Sequence, residues 1–350
     1  MRKKFTYHSP FTLESGHTLP NYHLAYTTYG QLNDAKDNVV WIFHALTANS
    51  EPEEWWPGLV GRGKLFDPTV HFIICVNMPG SCYGSICPLD INLETGEPYY
   101  HEFPFFTPRD MIRSYMPLRQ YLGIEKIQVG IGGSMGGQQL LEWSIEEPEL
   151  FEYIFPLATN AQHSPWGIAF NATQRMCIEA DSTWQNKNDD AGKEGMKAAR
   201  SAALLSYRHY DAYGRTQPRG TNYPFDKGWN GAASYQRYQG EKLARRFNAF
   251  SYYVLSQGMD SHDVSRGRDS LEAALGKITA RTLTVGIETD VLFPIDEQQF
   301  LAENISQAEF VQIKSPYGHD GFLLEYDQLE NIIRQFLPEQ WKRKKSLETL

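Results

Sequence analysis

In Gln128-Val129-Gly130-Ile131-Gly132-Gly133-Ser134-Met135-Gly136-Gly137-Gln138-Gln139-Leu140-Leu141-Glu142-Trp143 an apolar strand pattern runs into Gly-x-Ser-x-Gly and passes without a break into a helical one. That is the signature of a nucleophile elbow, a sharp strand-to-helix turn that lifts the hydroxyl of Ser134 clear of a sheet. Small residues are needed on both sides because the turn forces backbones together, and Gly132 and Gly136 fill those places. Residues 126–131 alternate and branch as a buried strand does, and residues 138–145 continue as a helix. This context separates the motif from a glycine-rich turn that happens to hold a serine.

A serine hydroxyl is a poor nucleophile at neutral pH, so the reading requires a histidine base and a carboxylate that fixes its tautomer. In the elbow architecture both lie downstream, the acid first, each on a loop after a late strand. Residues 282–287 form one such strand and lead into Glu288-Thr289-Asp290-Val291-Leu292-Phe293-Pro294; residues 309–313 form the next and lead into Ser315-Pro316-Tyr317-Gly318-His319-Asp320-Gly321. Asp290 and His319 are therefore the expected acid and base, with Glu288, Asp296 and Asp320 as competing acids. Nine other histidines are present; His262-Asp263 mimics a dyad but sits in a polar stretch before any late strand. An oxyanion needs two backbone donors, one from the residue after the nucleophile and one from the loop after an early strand. Met135 supplies the first, and Leu46, in the loop that follows the apolar run Val39-Val40-Trp41-Ile42-Phe43, is the expected second. His44 in the same loop reads as a scaffold residue without chemistry.

Several further blocks occur in order: His44-Ala45-Leu46-Thr47; Trp55-Trp56; Gly80-Ser81-Cys82-Tyr83-Gly84-Ser85; Arg109-Asp110-Met111; Tyr238-Gln239-Gly240; Asp260-Ser261-His262-Asp263; and Gly318-His319-Asp320. With the elbow, they give the chain a resemblance to the homoserine O-acetyltransferases of the α/β-hydrolase type, running from near residue 10 to about residue 336. The resemblance implies an α/β-hydrolase fold, a mostly parallel sheet flanked by helices with an inserted helical cap. It implies ping-pong transfer of an acetyl group from acetyl-CoA to the hydroxyl of L-homoserine at the start of methionine synthesis, with no permanently bound cofactor. It assigns Arg175 to the acceptor's carboxylate, for which a planar guanidinium is suited, and Asp320 to its ammonium. It also implies a homodimer through cap helices. A succinyl donor, a serine acceptor and a simple esterase are the alternatives that share the triad. The segment Glu179 to Asp190 departs from the pattern expected of this family.

Organisation and composition fit that expectation. Apolar strands alternate with helices through residues 1–160, including Thr107-Pro108-Arg109-Asp110, where threonine caps, proline opens the helix and aspartate meets its positive end, with Gly123 as the stop. Strand patterns vanish over residues 161–277, a stretch of helix formers and aromatics expected to form the cap, broken by a loop from Thr216 to Trp229. The core resumes over residues 278–338, closing with one helix from Gly321 to Phe336, and residues 339–350 form a basic tail containing Lys342-Arg343-Lys344-Lys345. A chain of 350 residues with 41% hydrophobic content can bury one large core with an inserted subdomain. A formal net charge of −9 argues against a nucleic-acid partner. No run approaches the roughly 18 apolar residues that span a bilayer, and no apolar core follows the charged N-terminal residues as a secretory signal requires; a cytoplasmic location is expected. The four cysteines, Cys75, Cys82, Cys87 and Cys177, are too few for a disulfide scaffold, and no second Cys/His pair accompanies Cys82 and Cys87 at zinc spacing, so no metal is expected.

Overall fold

The computed structural model describes residues 2–219 and 231–341. Most of the expected loop from Thr216 to Trp229, and the basic run Lys342–Lys345, lie outside them.

Eight strands form one sheet: β1 (Lys3–Tyr7), β2 (Tyr22–Tyr29), β3 (Val39–Phe43), β4 (Phe72–Val76), β5 (Ile127–Gly133), β6 (Phe151–Leu157), β7 (Arg281–Ile287) and β8 (Ala308–Ile313). Their spatial order is β1-β2-β4-β3-β5-β6-β7-β8. The first two strands pair antiparallel, β2 also meets β4 antiparallel, and every later pairing is parallel. Strands covered on both faces need apolar residues at every position: all five residues of β3 and of β4 are buried. β3 and β5 are neighbours, with Phe43 opposite Gly132, so the loops that leave them emerge side by side. This register brings Leu46 and Ser134 to one end of the sheet.

The helix α1 (Pro108–Tyr121) forms as its sequence dictates. Thr107 accepts from the Asp110 amide while the Asp110 carboxylate accepts from the Thr107 amide, Pro108 opens the first turn, and Gly123 beyond the end takes a positive φ of 68°. Arg109 points inward to Glu142 (Nε–Oε2 3.0 Å) and Glu14 (Nη1–Oε1 2.8 Å). Arg268 joins the same Glu142 at 3.0 Å, so a buried charge network ties the small hairpin that pairs Phe11–Thr12 with Thr18–Leu19, α1 and the helix that carries the elbow. Each charge is paired, which is the condition for keeping such groups inside.

Between β6 and β7 the chain runs through α3 (Pro165–Glu179), α4 (Lys193–Tyr207), α5 (Tyr210–Thr216), α6 (Gly231–Ala244), α7 (Ala249–Asp260) and the short α8 (Leu271–Leu275), numbering α2 (Met135–Glu146) before them. The run from Tyr235 to Leu255 is two helices: α6 stops at Ala244, and Asn248 caps the next by accepting from the Ser251 amide (2.7 Å). Residues 179–190, atypical in sequence, are a packed strap. Trp184 is 5% exposed, with ring contacts to His101 (4.5 Å), Phe250 (4.9 Å) and Tyr253 (5.2 Å). The Asp181 carboxylate accepts from the Thr183 and Gly195 amides and holds the strap's ends to α4.

The single helix expected from Gly321 to Phe336 is α10 (Gly321–Leu324) and α11 (Tyr326–Phe336), broken at Glu325. The carbonyl of Phe322, which a continuous helix would give to the Tyr326 amide, accepts instead from the Trp56 indole at 2.9 Å. A further helix, α9 (Ile295–Asn304), follows the β7 loop.

Candidate active site

Ser134 lies between β5 and α2 with φ 56° and ψ −127°, a conformation that side chains other than glycine adopt only under constraint. The constraint is visible. The Ser134 amide donates to Leu157 O (3.0 Å) and its carbonyl accepts from Thr159 Oγ1 (2.8 Å), so β6 grips the turn from both sides. A Cβ at Gly136 would come within 2.2 Å of Phe43 O, and one at Gly132 within 2.6 Å of the Gly136 backbone. The helix starts where the strand is still in contact with its neighbour, and only glycine permits that.

Asp290 follows β7 on a tight loop. Its Oδ1 accepts from the amides of Leu292 (2.8 Å) and Phe293 (2.9 Å), leaving Oδ2 for His319 Nδ1 at 2.6 Å. Both side chains are almost fully buried. The structure therefore brings together the expected acid and base, while Glu288 and Asp296 are exposed. The two loops are stitched by Thr289, whose hydroxyl donates to Ser315 O (2.7 Å) and accepts from the Gly318 amide (3.0 Å). The His319 ring stacks on Phe293 (5.0 Å between centroids), meets Phe322 edge-on (5.3 Å) and lies at a tilt to Tyr207 (5.9 Å). Phe322 also lies directly against Gly133, so one ring spans the distance from elbow to base. With Nδ1 engaged by Asp290, Nε2 is the nitrogen left to receive a proton.

Among the described residues neither the Leu46 nor the Met135 amide donates to a protein acceptor, although both residues are buried. Buried unpaired amides are rare, and two at one elbow are what an oxyanion site requires. The Leu46 amide is aimed by its own peptide: Ala45 O, at the other end of that plane, accepts from the Ala48 amide (3.0 Å) and from His44 Nδ1 (2.9 Å). His44 Nε2 in turn accepts from the Met78 amide at 3.2 Å. Burial pushes this imidazole down to about 4, so it stays neutral and keeps that tautomer. His44 is the scaffold residue expected of it.

Arg175 is engaged elsewhere. Its Nη2 lies 2.6 Å from Asp260 Oδ2 and its Nη1 donates to Ser256 Oγ (3.1 Å), a tie between α3 and α7. Two arginines that sequence reasoning passed over stand nearer the base. Arg208 Nε is 2.8 Å from Asp320 Oδ2, and Arg200 lies 5.4 Å over the ring of Tyr207, which itself packs on His319. Burial lifts the Asp320 carboxyl above its ordinary range, while Arg208 and Arg200 pull it down. Arg200 and Tyr207 are seven residues apart on α4, two helical turns on one face, a spacing that offered a signal.

Glu297, in the first turn of α9, was also not anticipated. Its Oε2 accepts from Asn160 Nδ2 (3.1 Å), and Asn160 Oδ1 accepts from Gln138 on the elbow helix (3.1 Å). Burial and the nearby Asp290 carboxylate push Glu297 up to about 7. It lines, with Asp290, Ser164, Trp166, Val291 and Pro294, an open cleft of about 540 Å³ beside the acid. His163 and His262 are buried and each is pushed down to about 3, first by desolvation, so neither acts as a base near neutrality.

A strand-elbow-helix serine, an acid–histidine pair from two later strand ends and a mostly parallel sheet flanked by helices define the class: a protein of α/β-hydrolase architecture. The family model of the alpha/beta hydrolase fold matches residues 38–326. Over 94% of this chain and 93% of the relative, the sequence is 47% identical to a homoserine O-acetyltransferase of Cyclobacterium marinum. Among solved structures, a homoserine O-acetyltransferase from Bacillus anthracis superposes with a TM-score of 0.88 at 25% identity, covering 98% of each chain. An acetylester hydrolase from Corynebacterium glutamicum superposes at 0.83 with 22% identity, over 96% of this chain and 95% of that one, and shares the fold. The chain belongs to the homoserine O-acetyltransferase family, a family of acyltransferase enzymes.

Proposed function

We propose that this enzyme moves an acetyl group from acetyl-CoA to the hydroxyl of L-homoserine, by a ping-pong route through an acyl group on Ser134, as a step of methionine synthesis. The observation that carries the reading is the Asp290–His319 hydrogen bond, linked through the Phe322 ring to the elbow that holds Ser134, with two free amides, at 47% identity to a named homoserine O-acetyltransferase. His319 takes the Ser134 proton as the serine oxygen attacks the thioester carbon. The oxyanion is held by the Leu46 and Met135 amides. As it collapses, the thiolate leaves with the proton from His319. The homoserine hydroxyl then enters, gives its proton to His319 and attacks the acyl carbon, and Ser134 recovers its proton. Acetyl-CoA is a co-substrate, and no cofactor is required.

The acceptor's ammonium is assigned to Asp320, whose carboxylate adjoins the base and already has a cationic partner in Arg208. For its carboxylate, Arg175 and Arg200 compete. Arg175 would have to leave Asp260, whereas Arg200 faces Tyr207 beside His319, and we assign the role to Arg200. Water would deacylate the intermediate, so a transferase must keep it out; Tyr207 and Arg208, pressed from the helical segment onto His319 and Asp320, are the groups that do so. The same reading includes a homodimer through the helices between β6 and β7, where Met176, Leu205, Tyr210 and Tyr238 are exposed, and a cytoplasmic location. No helix among the described residues is long and apolar enough to cross a membrane.

The fold is shared with an esterase, so the test must separate transfer from hydrolysis. Thiol release from acetyl-CoA is measured with and without L-homoserine, with L-serine and succinyl-CoA as comparators and Ser134→Ala as blank. Release that depends on homoserine and vanishes in the variant supports the proposal. Release indifferent to any amino acid makes the protein a hydrolase and removes the roles given to Arg200 and Asp320.

A further inference from the structure

Arg246 has no part in the chemistry described so far. It lies in the link between α6 and α7, about 200 residues from the loop after β3 in sequence, yet its Nη1 donates to Thr47 O at 2.6 Å and to the Tyr83 hydroxyl. Thr47 follows Leu46, the second oxyanion donor, so the contact falls on the loop that builds the hole. Tyr83 is fixed in turn: its ring meets Phe247 at 5.7 Å and its carbonyl accepts from Asn77 Nδ2 at 3.0 Å.

The consequence follows peptide by peptide. The Thr47–Ala48 peptide is held at both ends, its carbonyl by Arg246 and its N–H by Ala45 O (3.0 Å). The Ala45–Leu46 peptide carries the Leu46 N–H at one end and Ala45 O at the other, where Ala48 and His44 grip it. His44 is anchored to the core through Met78. The Ala48 grip is anchored within its own peptide by the guanidinium on Thr47 O, and one residue further on by Asn49 O, which accepts from the Trp55 indole at 2.9 Å. A peptide plane is rigid, so the direction of the Leu46 N–H is set by the direction of Ala45 O. Arg246 reaches that plane from the helical segment, which belongs to another part of the chain.

We propose that Arg246 is a positioning residue that aims the Leu46 amide at the oxyanion, and thereby makes the hole depend on the seating of the α6–α7 link. The inference rests on the assignment of Ser134 as nucleophile and Leu46 as donor. Loss of one well-placed oxyanion donor costs about 100-fold to 1,000-fold in rate. A donor that is misaimed rather than removed is expected to cost less, about 10-fold to 100-fold, in the acylation step and with little change in KM.

The test uses the full-length protein and an alkyl fluorophosphonate, which phosphonylates an activated serine with loss of fluoride and places its own oxygen in the hole. The fraction finally labelled counts correctly folded sites, and the rate constant reads the aim of the donors. Arg246→Ala and Arg246→Lys are compared with Tyr83→Phe, which keeps the Thr47 bond. The expected result is full labelling of all three, a rate constant lowered about 10-fold or more in Arg246→Ala, partial recovery in Arg246→Lys, and Tyr83→Phe within about 2-fold of the parent. With acetyl-CoA and homoserine, kcat of Arg246→Ala should fall while KM for acetyl-CoA stays within about 3-fold. An unchanged labelling rate in Arg246→Ala overturns the proposal. So does a raised KM for acetyl-CoA with kcat intact, which would make Arg246 a contact to the donor's phosphates. If Ser134→Ala is still labelled in the same position-independent manner, the nucleophile assignment itself fails, and that outcome is separate from any result on Arg246.

Discussion

Replacing Glu297 by glutamine should make the protein's stability less sensitive to alkali. The carboxyl sits at about 7 in the folded state against an ordinary 4.5, because burial and the Asp290 charge oppose its ionisation. Between those values the folded protein holds a proton that the unfolded chain has released, so stability falls as pH rises from 4.5 and levels off above about 7. The full span is worth at most about 3 kcal/mol. For a cooperative transition in a chain of this length, at about 2 cal/mol/K per residue, that corresponds to about 4 °C in Tm. Glutamine keeps an oxygen for Asn160 Nδ2, which donates to Glu297 Oε2 at 3.1 Å, and cannot ionise. Thermal or urea unfolding of parent and Glu297→Gln, followed by circular dichroism from pH 4.5 to 8, should give two curves that diverge as pH rises, the variant gaining about 2–3 kcal/mol on the parent by pH 8 whatever constant offset separates them at the acid end. Parallel curves over that interval would refute the reasoning, since they would mean the carboxylate ionises inside the folded protein as it does outside.

Other consequences are as direct. Gly136→Ala places a Cβ 2.2 Å from Phe43 O, so β3 or the elbow must shift; equilibrium unfolding should show a loss of about 1–3 kcal/mol, with activity reduced even in the folded fraction. Trp184→Ala removes a buried ring packed on His101, Phe250 and Tyr253 and should cost about 3–5 kcal/mol by urea unfolding, against under about 1 kcal/mol if the strap at 179–190 were a surface loop. Asp320→Asn, which removes the charge assigned to the acceptor's ammonium, should raise KM for homoserine about 10-fold to 100-fold while thiol release in the first turnover is kept; an equal loss in both would move Asp320 from acceptor binding to the base itself.

The elbow was legible because it is local: strand pattern, five-residue turn and helix lie within residues 126–145, and the glycines answer a backbone clash of 2.2–2.6 Å that any such turn creates. Asp290 and His319 were legible from chain order, each on a loop after a late apolar strand. The acceptor side was less so. Arg175 was assigned by the resemblance alone, and its neighbour across the helices is Asp260, a partner 85 residues away that no local pattern reveals. Arg200 lay in a run read only as helix-forming. The break at Glu325 has no glycine or proline to announce it, since it follows from a bond between Phe322 and Trp56, 266 residues apart. Glu297 reads in sequence as an ordinary acidic residue in a first helical turn; its environment is made by Asn160 and Asp290, from two other strand ends. The break before α7 went unread within the run of helix formers, although Asn248 is a capping residue of standard type.

The proposed mechanism makes Ser134 the carrier of the acyl group between the two substrates. It is tested most directly by mixing the enzyme with acetyl-CoA alone, quenching in acid and mapping the modified peptide by mass spectrometry, then repeating after a chase with L-homoserine. An acetyl group is expected on the peptide containing Ser134, stable for many turnover times in water and discharged at once by homoserine with formation of O-acetylhomoserine. An unmodified Ser134 under conditions where homoserine is acetylated would contradict it, because the acyl group would then pass directly from thioester to acceptor.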